Sequence, residues 1–352
     1  MGIGTAKKLA ALGMALMCLY LLFMGQARKT AETAVEAGRM KNVEIVVPST
    51  APGQEPEESP TESSPGADVR TETEAEPMSL SLPGEREEPQ SQPEDNRSLD
   101  QIQETTITGG LSIKNETSYD IDVSGMLSEG SQVKLPAGEP QILIIHTHSS
   151  EAYTPAGLDR YEASDTNRTE DTAYNIVRVG DELTALLQQA GLNVIHDREI
   201  YDYPSYTGSY ERSGAAVQSY LEQYPGIAVV IDMHRDALGA NGVVYKTMAE
   251  ESGVCASQVM LLVGTDDSGL THPNWRSNLS LALYLQNAVS AVHPTLMRPV
   301  SLVQQRYNQH LTGGSLILEV GSSGNTLQEA LAAIRLFADA AAPALLALVE
   351  ET

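Results

Sequence analysis

Three short polar clusters, each directly behind an apolar run, hold the residues of this chain best suited to chemistry. His146, Thr147, His148, Ser149, Ser150 and Glu151 follow ILII at 142–145. Asp232, Met233, His234, Arg235 and Asp236 follow IAVVI at 227–231, and Glu319, then Val320 and Gly321, follows SLIL at 315–318. His and Glu are costly to bury without partners, so two imidazoles and a carboxylate leaving one apolar strand are poorly explained by packing. Two imidazoles and a carboxylate meeting at one point make a zinc site of the catalytic kind, with three protein ligands and a fourth position for water. A further carboxylate beside that water takes its proton. This set is what metal-assisted hydrolysis requires: Zn²⁺ lowers the pKa of its water and polarises the carbonyl under attack, while the carboxylate carries the proton to the leaving amine. Alternate residues of an extended segment face the same way, so both His146 and His148 could reach the centre. Arg235 and Asp236 read either as a plain salt bridge or as groups that orient His234 and bind a substrate carboxylate. His196, His272, His293 and His310 read as hydrogen-bonded structural residues.

Such clusters meet only if the strands deliver them to one edge. From Pro140 onward strand-like and helix-like runs alternate, which predicts an α/β domain. Strand candidates are 142–145, 193–195, 227–231, 243–247, 259–263 and 315–318; helix candidates are 173–190, 275–292 and 326–349, the last interrupted at Pro343. In the first helix Ile176, Val179, Leu183, Leu186 and Leu187 form one apolar face, and Gly191 suits a left-handed cap. The expected fold of 140–352 is three-layered, with a mostly parallel central sheet and helices on both faces. In open sheets of this type the carboxyl ends of the strands share one edge, and ligands bind there.

The remaining chain predicts an anchor and a tether. The 352 residues carry a net charge of −25, from 47 acidic and 22 basic residues. Between Pro48 and Glu104 there are 15 acidic and 3 basic residues, a local balance of −12, and no aromatic residue stands between Phe23 and Tyr119. Such a segment buries too little apolar surface to offset its ordering entropy, so 26–110 is expected to be a disordered acidic linker. Residues 1–25 contain an apolar run of 17, Leu9–Gly25, flanked by Lys7, Lys8, Arg28 and Lys29. It reads as one uncleaved transmembrane span, with a cleaved signal peptide as the alternative, and on either reading the rest of the chain lies on the extracytoplasmic side of the cell membrane. Residues 111–139 alternate apolar and polar residues and read as a lead-in segment. The negative charge and the lack of a basic stripe argue against nucleic acid as a partner. Two cysteines, Cys18 and Cys255, rule out a disulfide scaffold.

The runs HTHSSEAY, YNIVRVGDEL, VVIDMHRDAL, NWRSNLSLALYLQ and RYNQHLTGGSLILEVGSSGN, in this order behind an N-terminal anchor, resemble the stage II sporulation protein P family. The resemblance covers 141 to the C-terminus. It implies an amidase-like fold and a zinc-dependent N-acetylmuramoyl-L-alanine amidase that acts on peptidoglycan during engulfment and also cleaves peptide cross-links. It implies as partners a lytic transglycosylase and a membrane protein of the same machinery. By position, His148 and His234 match the two metal-binding histidines, with His146 as the alternate first ligand. Glu319 matches the catalytic glutamate, and Asn325 a residue of the substrate site. For the carboxylate ligand the family's HxHxxE pattern points to Glu151 and the wider amidase group to Asp171; Glu151, close to His148, is the expected one. Two other functions fit the residues alone: a zinc deacetylase of wall sugars, and a non-catalytic wall-binding scaffold.

Overall fold

The computed structural model describes residues 102–107, 111–240, 243–251 and 253–350. The expected membrane span and nearly all of the acidic linker lie outside the described residues. Among the described residues no helix is long and apolar enough to cross a membrane.

In chain order the elements are β1 (Ile102–Thr105), β2 (Ile113–Asn115), α1 (Val123–Glu129), β3 (Ile142–Ile145), α2 (Ile176–Ala190), β4 (Val194–His196), α3 (Ser209–Gln223) and β5 (Val229–Asp236). There follow β6 (Gly239–Ala240), β7 (Val243–Glu251), β8 (Val254–Ser257), β9 (Val259–Gly264), α4 (Trp275–Val292), β10 (Val300–Val303), β11 (Ser315–Ser322) and α5 (Leu327–Leu346). The central sheet has seven strands in the order β2-β10-β9-β11-β5-β3-β4. Its pairings are parallel except β9 with β11. That one reversal brings the start of β9 to the edge where β11, β5 and β3 end. A smaller sheet, β1-β7-β6 with β8 on β7, lies beside it.

Strand alternation sorts the core into two faces. Ile142, Ile144, Ile231, Met233, Leu316 and Leu318 pack with the apolar faces of α2, α4 and α5. Leu143, Ile145 and Val230 face the other way, against Val217 of α3. All four residues of β3 are buried, as a parallel strand covered on both sides must be. Local signals end the helices. The Asn175 side chain accepts from the Val177 N–H at the start of α2, and Gly191, at φ 105°, closes it. Thr326 and Glu329 form a reciprocal capping box on α5.

Several elements depart from expectation. β5 and β11 run on to Asp236 and Ser322, so His234 and Glu319 stand within strands rather than after them. The inward-facing Met233 and Val320 continue the apolar alternation past the polar residues. Pro343 lies inside α5, one turn from its end, and does not interrupt it. β1 falls within the stretch expected to be linker: it pairs in parallel with β7, Ile102 opposite Val244, so order begins before 111.

Candidate functional site

The cluster forms at the carboxyl edge of β3, β5 and β11. Glu319 stands in register with His234 on the neighbouring parallel strand, which puts both side chains on the same face of the sheet. Just beyond Glu319 the register shifts, since Ser322 pairs with Asp236. Gly321 makes the irregularity possible at φ 69°, where a Cβ would lie 2.9 Å from the Cβ of Ser257.

After β3 the chain turns at 147–150 instead of continuing as a strand. The turn separates the two histidines that an extended segment would have aligned. His148 comes to His234, with ring centroids 5.2 Å apart and planes at 82°. His146 goes elsewhere: Nδ1 meets the Met233 carbonyl at 3.2 Å and Nε2 meets His196 Nε2 at 2.8 Å, against Gly180 of α2. With both nitrogens engaged there, His146 is not available as the alternate first ligand.

The same turn brings in Glu151. Its N–H donates to the His148 carbonyl at 3.1 Å, and its Oε2 lies 3.5 Å from His234 Nδ1. It also accepts from the backbone N–H of Arg235 at 3.0 Å, and the Arg168 and Arg235 guanidinium groups stand 3.8 and 3.9 Å from Oε1. Burial pushes the Glu151 carboxyl up, but Arg235, His234 and Arg168 outweigh it and hold the group ionised, well below the usual range. Asp171 is exposed, and its carboxylate accepts from the N–H of Ala173.

Asp232, buried on β5, ties the turn to the sheet: it accepts from the Thr147 N–H and hydroxyl at 2.8 and 2.6 Å. Its Oδ1 lies 3.0 Å from His234 Nε2, yet off the N–H line, so that buried nitrogen has no aligned hydrogen-bond partner. Burial lowers the affinity of His234 for a proton, but Asp232 and Glu151 more than reverse this and leave its pKa well above the usual histidine value. His148 is the opposite case, held neutral by burial and by the positive charge of His234.

Glu319, half-buried, is the second acid. Burial first, then the charge of Asp236, raises its pKa to about 8 against the opposing pull of His234 and Arg298. Its Oε2 is sealed from solvent and has no hydrogen-bond partner.

Two expected substrate residues are built into the frame instead. Asn325 is fully buried; it accepts from the N–H groups of Thr247 and Ser322 and donates to the Thr247 carbonyl and to Glu329. Arg235 donates through Nε to the Ala152 carbonyl at 3.1 Å and through Nη2 to the Asn167 carbonyl at 3.2 Å, pinning the loop that carries Glu151. Asp236 is ion-paired with Arg298 at 2.8 Å rather than with its neighbour. The residues that sequence reasoning passed over are Arg168, Asp202 and Tyr206. Asp202 accepts from the Ser150 N–H and hydroxyl at 3.0 and 2.6 Å and from Arg168 at 2.6 Å. Each lies in a loop without an apolar run before it, so strand-end logic could not find them.

Among the described residues no three His, Cys, Asp or Glu side chains stand in ligand geometry around one point. The donor set nonetheless fits a divalent ion. It offers the His148 imidazole, the Glu151 carboxylate and the His234 imidazole, which would release its proton as an ion binds.

The fold and site define a class: an α/β domain with two imidazoles and two glutamates gathered at one strand-end edge. A family model described as Stage II sporulation protein P (SpoIIP) matches residues 39–342, and the chain belongs to that family. It is 27% identical over 218 residues to the Stage II sporulation protein P of Bacillus subtilis (strain 168), covering 58% of this chain and 51% of the relative. The chain thus spans about half the length of that curated relative. Among solved structures it is similar to the N-acetylmuramoyl-L-alanine amidase AmiC2 of Nostoc punctiforme, at 13% identity and TM-score 0.35, over 59% of this chain and 96% of that one. It is also similar to the CwlD amidase from Clostridioides difficile in complex with the GerS lipoprotein, at 13% identity and TM-score 0.36, over 59% and 98%.

Proposed function

We propose that this protein is a zinc-dependent peptidoglycan hydrolase. It cleaves the amide between N-acetylmuramic acid and the L-Ala of the stem peptide, and peptide cross-links as well, during engulfment in sporulation. The observation that carries the reading is the register pairing of Glu319 with His234, each keeping one buried polar atom without an aligned partner, beside His148 and Glu151. His148, Glu151 and His234 would hold the metal. When bound, Zn²⁺ supplies a water of lowered pKa and a Lewis acid for the carbonyl. Glu319 takes the proton of the attacking water and passes it to the departing amine, a role that suits a carboxyl whose pKa is raised toward neutrality. Arg235 and Asp202 fix the loop that carries Glu151.

The N-terminal span would keep the domain at the cell membrane on the extracytoplasmic side. Wall polymers carry anionic groups, so a chain of net charge −25 gains nothing from non-specific attraction to them. Recruitment would therefore rest on the anchor and on protein partners, a lytic transglycosylase and a membrane protein of the engulfment machinery. The test is to incubate the full-length protein with cell-wall sacculi, with and without chelator, and to analyse the soluble products by mass spectrometry. Free peptides beginning with L-Ala, abolished by chelator, are expected. New amino groups on sugars that still carry their peptides would make it a deacetylase, and chelator-indifferent wall binding without products a scaffold.

A further inference from the structure

Gln258 ties the stretch 102–107 to the strand that carries Glu319. It is the single residue between β8 and β9, and it is buried at 1% exposure. Its side-chain amide is held at three points. Oε1 accepts from the Ile107 N–H at 2.8 Å, and Nε2 donates to the carbonyls of Ile107 and Thr295, both at 2.9 Å. The exchange with Ile107 is reciprocal, so the amide serves as one more rung between the start of β9 and the chain that continues from β1. That chain is fixed on its other contacts as well: Thr105 pairs with Thr247, and the Thr106 hydroxyl donates to the Met248 carbonyl at 2.9 Å.

The main chain of Gln258 carries this anchoring to the site. Its N–H donates to the Thr247 carbonyl at 3.2 Å, and its carbonyl accepts from the Gly321 N–H at 2.9 Å. β9 and β11 pair with Glu319 opposite Met260 and Val320 opposite Val259, and Gly321 opposite Gln258 continues that register by one step. On the other side of β11 the register against β5 slips between Glu319 and Ser322. The bulge is therefore held from the β9 side, by a carbonyl that a locked amide keeps in place. A bulge re-aims the side chains next to it, so fixing the bulge fixes where Glu319 points. The turn that follows is tied to β7, the strand that also bears β1: Ser322 Oγ donates to the Tyr245 carbonyl at 2.6 Å, and Asn325 bonds both the N–H and the carbonyl of Thr247.

We propose that Gln258 is a positioning residue for Glu319, through which the stretch 102–107 braces the catalytic strand. The inference rests on the hydrolase reading given above, and its test separates the two. Gln258→Met keeps the length and volume of the side chain and removes its three hydrogen bonds. In the zinc-loaded full-length protein, turnover of sacculi should fall about 10–10²-fold with KM and zinc content unchanged, the size of loss that a displaced catalytic group produces. On a Glu319→Gln background the same substitution should change turnover by less than about twofold, because a residue that works through Glu319 has nothing left to position. An equal loss on both backgrounds, the mark of a purely structural role, would overturn the proposal. So would turnover within about threefold of wild type in the single variant. If circular dichroism shows that the Met variant does not fold, Ile107→Pro replaces it, since it leaves Gln258 intact and removes the N–H that Oε1 accepts. Hydrogen exchange read by mass spectrometry supplies a measurement that needs no substrate. Exchange over 319–325 should quicken about tenfold in the variant while that over 142–145 stays as in wild type, and an unchanged 319–325 would overturn the proposal too. A wild-type protein that binds zinc but releases no peptide would refute the hydrolase reading instead, and the exchange arm would still decide whether Gln258 holds the bulge.

Discussion

Gly180 sits on the buried face of α2 where His146 and His196 share a hydrogen bond, and replacing it with alanine sets two effects of known size against each other. In a helix interior Gly→Ala stabilises by about 1 kcal/mol, through reduced freedom of the unfolded chain and better helix propensity. Here, however, the new Cβ would lie 2.6 Å from the Nε2 atoms of both His146 and His196, and 2.7 Å from His146 Cε1. The imidazoles cannot simply swing aside. His146 is held at Nδ1 by the Met233 carbonyl at 3.2 Å, and His196 Nδ1 lies 3.2 Å from Asp181. Forcing a methyl into a packed site costs about 1–3 kcal/mol, and parting the imidazoles forfeits a hydrogen bond worth about 0.5–1.5 kcal/mol. The clash wins, leaving Gly180→Ala about 2 kcal/mol less stable, a drop in Tm of about 4–8 °C for a folded part of this size. Urea and thermal denaturation followed by circular dichroism will measure it. A variant as stable as wild type, or more so, would refute the reasoning: the histidine pair would then be loose enough to give way, and His146 could no longer be assigned to the wall behind the site.

Four further outcomes follow from the geometry. Glu319→Gln should lower turnover by about 10²–10⁴-fold while leaving one zinc bound, because the amide cannot take a proton and the residue is not among the expected ligands; turnover and metal content on the same sample check it. Glu151→Ala and His234→Ala should each bring the zinc content measured by atomic absorption well below one equivalent, and full retention in both would displace them as ligands. Asn325→Ala should cost about 2–4 kcal/mol, since it strands the N–H groups of Thr247 and Ser322 that the amide now satisfies, with the loss appearing in the urea midpoint even without metal or substrate. Gly321→Ala should lower both Tm and kcat, because the left-handed backbone at φ 69° and the approach to Ser257 disfavour a Cβ two residues from Glu319; an unchanged kcat would mean that the bulge does not position the glutamate.

The strands carrying the candidate site were legible because each is a fully apolar run ended by polar residues, and a parallel strand covered on both faces has no other composition. His234 and Glu319 could be brought together for the same reason: parallel order at a common edge follows from the alternation of elements. The sequence was silent where backbone conformation or loop contacts decide. HTH reads as an extended segment with two aligned imidazoles, but the turn at 147–150, fixed by Asp232 and Asp202 from 85 and 52 residues away, sends them apart. α3 escaped notice because its sequence, SYERSGAAVQSYLEQ, buries only Val217 among its large apolar side chains and shows no full stripe. β10 is four residues long, too short for alternation to register. Asn325 and Arg235, polar residues beside the site, were expected to meet substrate; only the structure shows that their hydrogen bonds are already made within the fold, to backbone and, for Asn325, also to Glu329.

That contrast itself locates the chemistry. Around the cluster Asn325 makes bonds at both ends of its amide, Asp202 accepts three and Arg235 anchors two carbonyls, while Thr247 Oγ1, Ser257 Oγ and two nitrogens of Arg298 lack partners. Glu319 Oε2 is a further buried atom without a partner, and it belongs to a carboxyl in register with His234, where it costs about 1–3 kcal/mol. An apolar residue at 319 would relieve that cost, and the flanking Leu318 and Val320 show that the strand carries such residues. His234 differs: its Nε2 lies 3.0 Å from Asp232 and its Nδ1 3.5 Å from Glu151, so the ring compensates two buried carboxylates and its loss would leave them unpaired. Glu319→Leu should therefore raise stability in the absence of metal while removing activity; a destabilised variant would mean that the side chain serves the fold after all.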